Sequence, residues 1–300
     1  MFTFLPHSIL QMATIFLSIV IEALPFVLLG CLISGALQVF LTPQRVKKIL
    51  PKNKFLGILV GCVLGFFFPS CECGIVPIVN QFVKKGVSEH TAFAFMLTAP
   101  IVNPIVIFST YIAFSNSVKF ALLRVVGSFF VAIIIGSWIA YFNHTTILKK
   151  QLAASDTQEH DHHHHAKLSG KQKAVDVLLH ALDEFFDTGR YLMFGGLIAS
   201  AMQVFLPTSV LLTVTSSKLL AIALLILLAL TMSLCSEADA FVGSSLLSLF
   251  GTAPVVAFLV YGPMVDIKNL LMMKRYFGTR FVLAMVGLIT LSVTCYAFIV

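Results

Sequence analysis

The run Ile9–Leu41 holds one acid, Glu22, and no base, and that removes most soluble folds from consideration. A helix needs about 20 predominantly apolar residues to cross a bilayer. Phe120–Phe142 and Phe281–Val300 meet the same requirement. Over the whole chain 58% of residues are hydrophobic and 11% are charged, with a mean hydropathy of +0.97. A soluble domain carries about 25% charged residues. So little polar surface does not keep a folded chain in water, and the expected class is an all-α polytopic membrane protein. Ile9–Leu41 is too long for the apolar core of a secretory signal, and no small-residue cleavage site closes it. It reads as a permanent span.

The net charge of +7 sits mostly in short loops. Arg45, Lys47, Lys48, Lys52 and Lys54 form one basic loop, and Lys274, Arg275 and Arg280 another. This is charge that orients spans across a membrane. A nucleic-acid surface would cluster its bases on one folded face, so no nucleic-acid partner is expected. The six cysteines lie mostly inside apolar runs and outline no secreted disulfide framework. There is no GxxxxGK[ST] loop and no legible serine–histidine–acid set. The chain therefore reads neither as its own ATPase nor as an enzyme.

The sequence is written twice. Gly30–Leu41 reads GCLISGALQVFL and Gly195–Leu206 reads GGLIASAMQVFL, identical at eight of twelve positions. The same shift pairs Glu22 with Asp187, Cys71 with Ser236, Glu72 with Glu237 and Gly86 with Gly251. A two-residue gap then pairs Pro100 with Pro263 and Asn103 with Asp266. The expected organisation is a first transmembrane repeat over 1–142, a polar His-rich linker over 143–173 and a second repeat over 174–300. Loop 42–54 is basic while its partner 207–218 has only Lys218, and loop 274–280 is basic while 115–119 has only Lys119. Opposite bias in equivalent loops favours inverted repeats, with an odd number of crossings in each. Each half is expected to hold about four long helices, with a broken segment near Pro69–Pro77 supplying a half-crossing.

The chemistry concentrates at the breaks. Pro69-Ser-Cys-Glu-Cys-Gly-Ile-Val-Pro77 interrupts an apolar stretch. Irregular backbone at membrane depth survives only inside protein or beside a watery cavity. Glu72 sits in this break, and a carboxylate there marks a pathway by default. Cys71 and Cys73 flank it. On a regular helix their thiols diverge; in a turned segment they converge and suit a soft metal ion or a thiophilic metalloid. Small packing cysteines are the alternative. The mate of this segment, Ser233-Leu-Cys-Ser-Glu-Ala-Asp-Ala240, brings Glu237 and Asp239, which in an apolar setting would share protons as a coupled pair. The alternative is a pair of acids at a solvated helix end.

Two further features accompany these. Thr98-Ala-Pro-Ile-Val-Asn-Pro104 is matched by Tyr261-Gly-Pro-Met-Val-Asp-Ile267. Pro100, the mate of Pro263, and Pro104 remove helix donors and free backbone carbonyls, and Asn103 and Asp266 set polar oxygens beside them, the arrangement by which half-helix ends hold ions and substrates. A simple proline kink is the alternative, strengthened for Asp266 by the nearby Lys268. The linker carries His162, His163, His164 and His165, imidazoles suited to loose binding of zinc, copper or nickel. An unselected linker reads equally well. His180, Glu184 and Asp187 read as a solvated helix end. No resident cofactor is expected, only transient transition-metal binding.

These residues together resemble a known pattern. Ser-Cys-Glu-Cys-Gly-Ile-Val-Pro (70–77), Lys85-Gly86-Val87 and Ala99-Pro-Ile-Val-Asn-Pro104 are similar to the first-half motif of a bacterial predicted-permease family that includes organoarsenical efflux permeases. Cys235-Ser-Glu-Ala-Asp-Ala-Phe241 and Gly262-Pro-Met-Val-Asp-Ile-Lys-Asn269 fit its second half. The resemblance implies a multi-pass permease of the cell membrane. For the arsenical branch it implies cysteines that handle trivalent arsenic, carried here only to Cys71 and Cys73. The His-rich linker turns the substrate expectation towards a transition metal such as zinc.

The expectation is a secondary permease moving a small ion or solute, a transition metal or thiophilic metalloid, with Glu72, Glu237 and Asp239 as coupling groups. Asn103, Asp266, Pro100 and Pro263 line the crossing. Its partners are the bilayer and the substrate, with a homo-oligomer or a membrane partner subunit also open. The rivals are a non-transporting subunit of an envelope complex and an intramembrane thiol redox protein using Cys71 and Cys73.

Overall fold

The computed structural model describes residues 7–40, 51, 53–68, 71–142, 170–205 and 217–300. Twelve helices follow one another among them: α1 His7–Phe40, α2 Lys54–Phe67, α3 Glu72–Lys84, α4 Glu89–Val102, α5 Pro104–Ala113, α6 Val118–Tyr141, α7 Gly170–Phe205, α8 Lys218–Met232, α9 Ser236–Phe250, α10 Thr252–Tyr261, α11 Ile267–Tyr276 and α12 Thr279–Ile299. The all-helical expectation holds.

Length divides these helices into two kinds. α1, α6, α7 and α12 run 34, 24, 36 and 21 residues, and the other eight run 10 to 15. Each half thus has two long helices and four short ones among the described residues. Ser8–Val39, Val118–Tyr141 and Thr279–Ile299 are long and apolar enough to cross a membrane, and α4 with α5 forms a fourth candidate span bent by 41°. A 14-residue helix covers only about 21 Å of the roughly 30 Å hydrocarbon core. The shorter apolar helices α2, α8 and α10 are therefore too short to span it alone.

The breaks have local causes. Pro104 excludes the helical conformation from the residue before it. Asn103 accordingly sits at φ −56°, ψ 132°, ending α4 and capping α5. Gly86 and Gly251, paired in the sequence comparison, take φ of 84° and 78°. A side chain is costly in that left-handed region, and glycine meets the demand.

Two of the short helices, α4 and α10, lie innermost. α4 is buried from Thr91 to Val102 and α10 from Ala253 to Tyr261. α4 packs against α2, α3 and α6, and α10 against α8, α9 and α12. The outer helices expose large apolar side chains, among them Leu17 and Ile21 on α1, Leu122 on α6, Phe194 on α7 and Leu283 on α12. An apolar surface of this extent suits lipid and not water.

α1 and α7 lie side by side and run antiparallel, because Gly35 meets Val177 and Ala181 while Ile19 meets Gly196. α6 and α12 are antiparallel as well. Tyr296 Oη donates to Leu123 O at 2.8 Å, and Trp138 stacks on Phe281. At the helix ends, Lys54 Nζ donates to Ala140 O at 2.7 Å and Lys218 Nζ to Phe298 O at 3.3 Å. Each lysine opens a short helix and satisfies a carbonyl at the end of a long one, a favourable place for a cation.

Candidate functional site

α3 and α9 both begin inside the protein. Cys71, at the N-cap of α3, is extended at φ −79°, ψ 173°, and its side chain makes no capping hydrogen bond. Glu72 is the first residue of that helix and is 1% exposed. A carboxylate in the first turn meets the positive end of the helix dipole. At the start of α9 the Cys235 Sγ accepts from Ala238 N at 3.4 Å. The next residue, Ser236, donates its hydroxyl to Glu72 Oε2 at 3.2 Å. Two helix N-termini from opposite halves of the chain therefore meet through one hydrogen bond.

A third N-terminus joins them. Asp266 caps α11 by accepting from Asn269 N. Its other oxygen, Oδ2, lies 3.6 Å from Lys268 Nζ. Ser233 Oγ accepts from Ile267 N at 3.3 Å and ties the end of α8 to the start of α11. α11 packs against α3, and α9 packs against α5. The short helices after the breaks thus interlock across the two halves.

Arg124, in the second turn of the long helix α6, closes the cluster. It is 1% exposed and its guanidinium is held by neutral acceptors. Nε donates to Leu259 O at 3.0 Å, Nη1 to Thr110 Oγ1 at 2.8 Å and Nη2 to Ser236 O at 2.9 Å. One side chain so fastens α6 to α10, α5 and α9. Ion burial costs several kcal/mol per charge unless partners compensate it. Such groups at membrane depth mark a functional site by default.

Asp239 is the least satisfied member. It is 2% exposed, and its Oδ2 has no hydrogen-bond partner. Gly262, in the turn between α10 and α11, faces it: a Cβ there would fall 2.6 Å from Asp239 Oδ2. Glycine is needed for that close approach.

The structure brings Glu72, Asp239 and Asp266 into this centre, all buried. Glu237, the sequence mate of Glu72, lies in the same first turn as Asp239 but is only half-buried. Asn103 is buried and gives its side-chain oxygen to Ile105 N at 3.0 Å, capping α5. Pro100 lies within α4 and Pro263 in the buried turn after α10. Cys71 and Cys73 are buried, free and in side-chain contact with each other. The extended conformation of Cys71, just ahead of the helix, undoes the divergence that a regular helix imposes. Among the described residues no group of three or more His, Cys, Asp or Glu is arranged to hold a metal ion. Glu72 is engaged by the hydroxyl of Ser236. His162, His163, His164 and His165 lie outside the described residues, as do Pro69 and Ser70.

Some residues play a different part from the one sequence assigned, and others went unassigned. Arg124 has a plain signal, a single base within the apolar run Phe120–Phe142. Lys268, noted in the sequence only as a neighbour of Asp266, is buried at 4% exposure beside it. Glu184 is not a solvated helix-end group: it accepts from Ser34 Oγ across the α1–α7 interface. Asp187 pairs with Arg275 at 2.7 Å and with Arg190, which fastens α7 to α11. Its sequence mate Glu22 is exposed.

Comparison with known proteins gives a consistent result. A family model described as "Predicted permease" matches residues 8–300. A protein of Streptococcus mutans serotype c, named "Putative two-component membrane permease complex subunit", is 53% identical over 299 residues, covering 100% of this chain and 98% of the relative. The "UPF0718 protein YcgR" of Bacillus subtilis is 46% identical over 286 residues, 95% of each chain. The "UPF0718 protein YraQ" of Escherichia coli is 21% identical over 252 residues, 84% of this chain and 70% of the relative. No solved structure matches the chain significantly.

Proposed function

The chain belongs to this family of predicted permeases, a multi-pass protein of the cell membrane, and on that premise we propose that it is a secondary transporter whose path crosses the Glu72–Ser236 contact. The observation that carries the reading is that hydrogen bond, made between two helix N-termini inside the protein and joining the two halves. A static scaffold gains little from costly charges at such a junction. A transporter gains a polar point at which one half moves against the other, and broken helices at the midplane are where transporters bind substrate.

The two halves act as inverted repeats in this account. Antiparallel packing of α1 on α7 and of α6 on α12 supports it, because these are the helices that the sequence comparison pairs. Glu72, Glu237 and Asp239 serve as coupling carboxylates, and Asn103, Asp266, Pro100 and Pro263 form the turning points of the path. The cargo is a thiophilic metalloid or a transition-metal ion, received by the touching thiols of Cys71 and Cys73 with the His162–His165 tract gathering metal at the surface. The test compares element content in cells expressing wild type and Glu72→Gln, challenged with zinc, copper, nickel, cobalt, arsenite and methylarsenite. One element differs between the two if the reading holds. Equal content for the whole panel removes the metal and metalloid cargo.

A second reading rests on the Streptococcus mutans relative, whose name makes it a subunit of a two-component complex. Here the chain transports only with a separate membrane partner. Co-purification from membranes at a fixed stoichiometry supports it, and a lone chain active in vesicles overturns it.

A further inference from the structure

The charges buried in the described part of the protein do not cancel. They are Glu72, Asp239 and Asp266 against Arg124 and Lys268. Three carboxylates facing two cations leave one negative charge without a counterpart. An uncompensated charge in a low-dielectric interior is neutralised by a proton or by a bound cation. Hydrogen bonding identifies which carboxylate is left over. Glu72 accepts from Ser236. Asp266 has Asn269 N on one oxygen and Lys268 near the other. Only Asp239 has neither an ion pair nor a hydrogen bond to its Oδ2 among the described residues.

Its surroundings favour a proton over a metal cation. A cation needs several oxygen ligands around it, and no group of three or more acids, cysteines or histidines is assembled there among the described residues. The charged groups acting on Asp239 are Arg124 of α6, Glu72 of α3, and Lys268 and Asp266 at the start of α11. Glu237 shares its helix. α10 and α5, which pack directly on α9, contain no charged residue. Their tyrosines are Tyr261, bonded to Thr290 at 3.2 Å, and Tyr111.

We propose that, of the three coupling carboxylates, Asp239 is the one that holds a proton at rest, and that Arg124 supplies the compensating charge when the proton leaves. The inference rests on the permease reading for its purpose, not for its chemistry. On release, the carboxyl O–H bond breaks, the proton passes to water, and the electron pair stays on Asp239. The carboxylate then competes for the guanidinium with Leu259 O, Thr110 Oγ1 and Ser236 O. Drawing Arg124 to Asp239 weakens the ties from α6 to α5 and α9. One protonation event is thereby linked to the helices that interlock the halves.

Infrared spectroscopy of the full-length protein in lipid vesicles tests this without a known substrate. At neutral pH the wild type shows a protonated-carboxyl C=O band. Asp239→Asn loses the intensity of one carboxyl group, while Glu72→Gln keeps it. Asp239→Glu retains a band at a shifted frequency, which separates loss of the proton site from loss of fold. A band unchanged in Asp239→Asn overturns the proposal, and so does a wild type in which the band appears only after sodium or potassium is removed. Transport by the wild type is measured separately. Its absence counts against the permease and leaves the band untouched.

Discussion

Ser236 Oγ lies 3.2 Å from Glu72 Oε2, and through that pair the first residue of α9 touches the first residue of α3. The two variants at this contact should behave differently. Glu72→Gln keeps a hydrogen-bond acceptor but removes the charge, so membrane-inserted protein is obtained at normal yield while flux is lost. Ser236→Ala removes a hydrogen bond, a loss of about 0.5–1.5 kcal/mol. Flux in that variant falls several-fold and does not vanish. Uptake or efflux per unit of membrane protein checks both.

Arg124 holds acceptors on three different helices. Arg124→Met leaves buried acceptors on three helices without their donor, at a cost of about 1–3 kcal/mol for each group left unsatisfied. The melting temperature in detergent should drop sharply. Arg124→Lys retains the charge, but one ammonium lacks the planar fork that reaches Leu259, Thr110 and Ser236 together. It should recover only part of the loss. Full recovery with lysine would show that charge alone matters there.

Gly74 brings α3 against α1. A Cβ at Gly74 would fall 2.6 Å from Phe26 O. Backbone cannot yield as a flexible side chain does, so Gly74→Val should destabilise by about 1–3 kcal/mol or more. Gly189, where an added Cβ meets nothing within 4 Å, is the control, and Gly189→Ala should leave thermal stability unchanged.

Lys54 and Lys218 make the same kind of contact in the two halves, each with the last turn of a long helix. Inverted halves place them on opposite faces of the membrane. Lys54→Cys and Lys218→Cys should therefore react with an impermeant thiol reagent from opposite sides of intact cells. Labelling of both from one side would contradict inversion.

Much of the fold was legible because lipid leaves so few options. Ile9–Leu41, Phe120–Phe142 and Phe281–Val300 become α1, α6 and α12 with small changes at the ends. One break was legible, since Pro104 ends α4 at the residue before it; Pro77 and Pro100 instead lie within α3 and α4, so the interruption expected across Pro69–Pro77 does not extend past the start of α3 at Glu72. The helix pairing was not legible, because apolar periodicity says which residues are buried but not against what. Glu72 and Asp239 stood out as acids in apolar runs, whereas Glu237 matched Glu72 by register and lies half-buried. Register counts residues along a chain, and a cap shifted by one residue turns a side chain by about 100°. α3 begins after Cys71 and α9 after Cys235, one position out of step with the alignment of Cys71 on Ser236. Arg124 escaped because one base changes the hydropathy of a long run very little. Glu184 was misread because a charge near a loop looks solvated until the neighbouring helices are known.

Reconstitution of this chain alone into vesicles is the most direct test. Flux of the element identified in cells is measured for wild type and for Glu72→Gln at matched protein content. The account predicts flux with wild type and none with Glu72→Gln. Flux that requires a second protein and is unaffected by Glu72→Gln would contradict it.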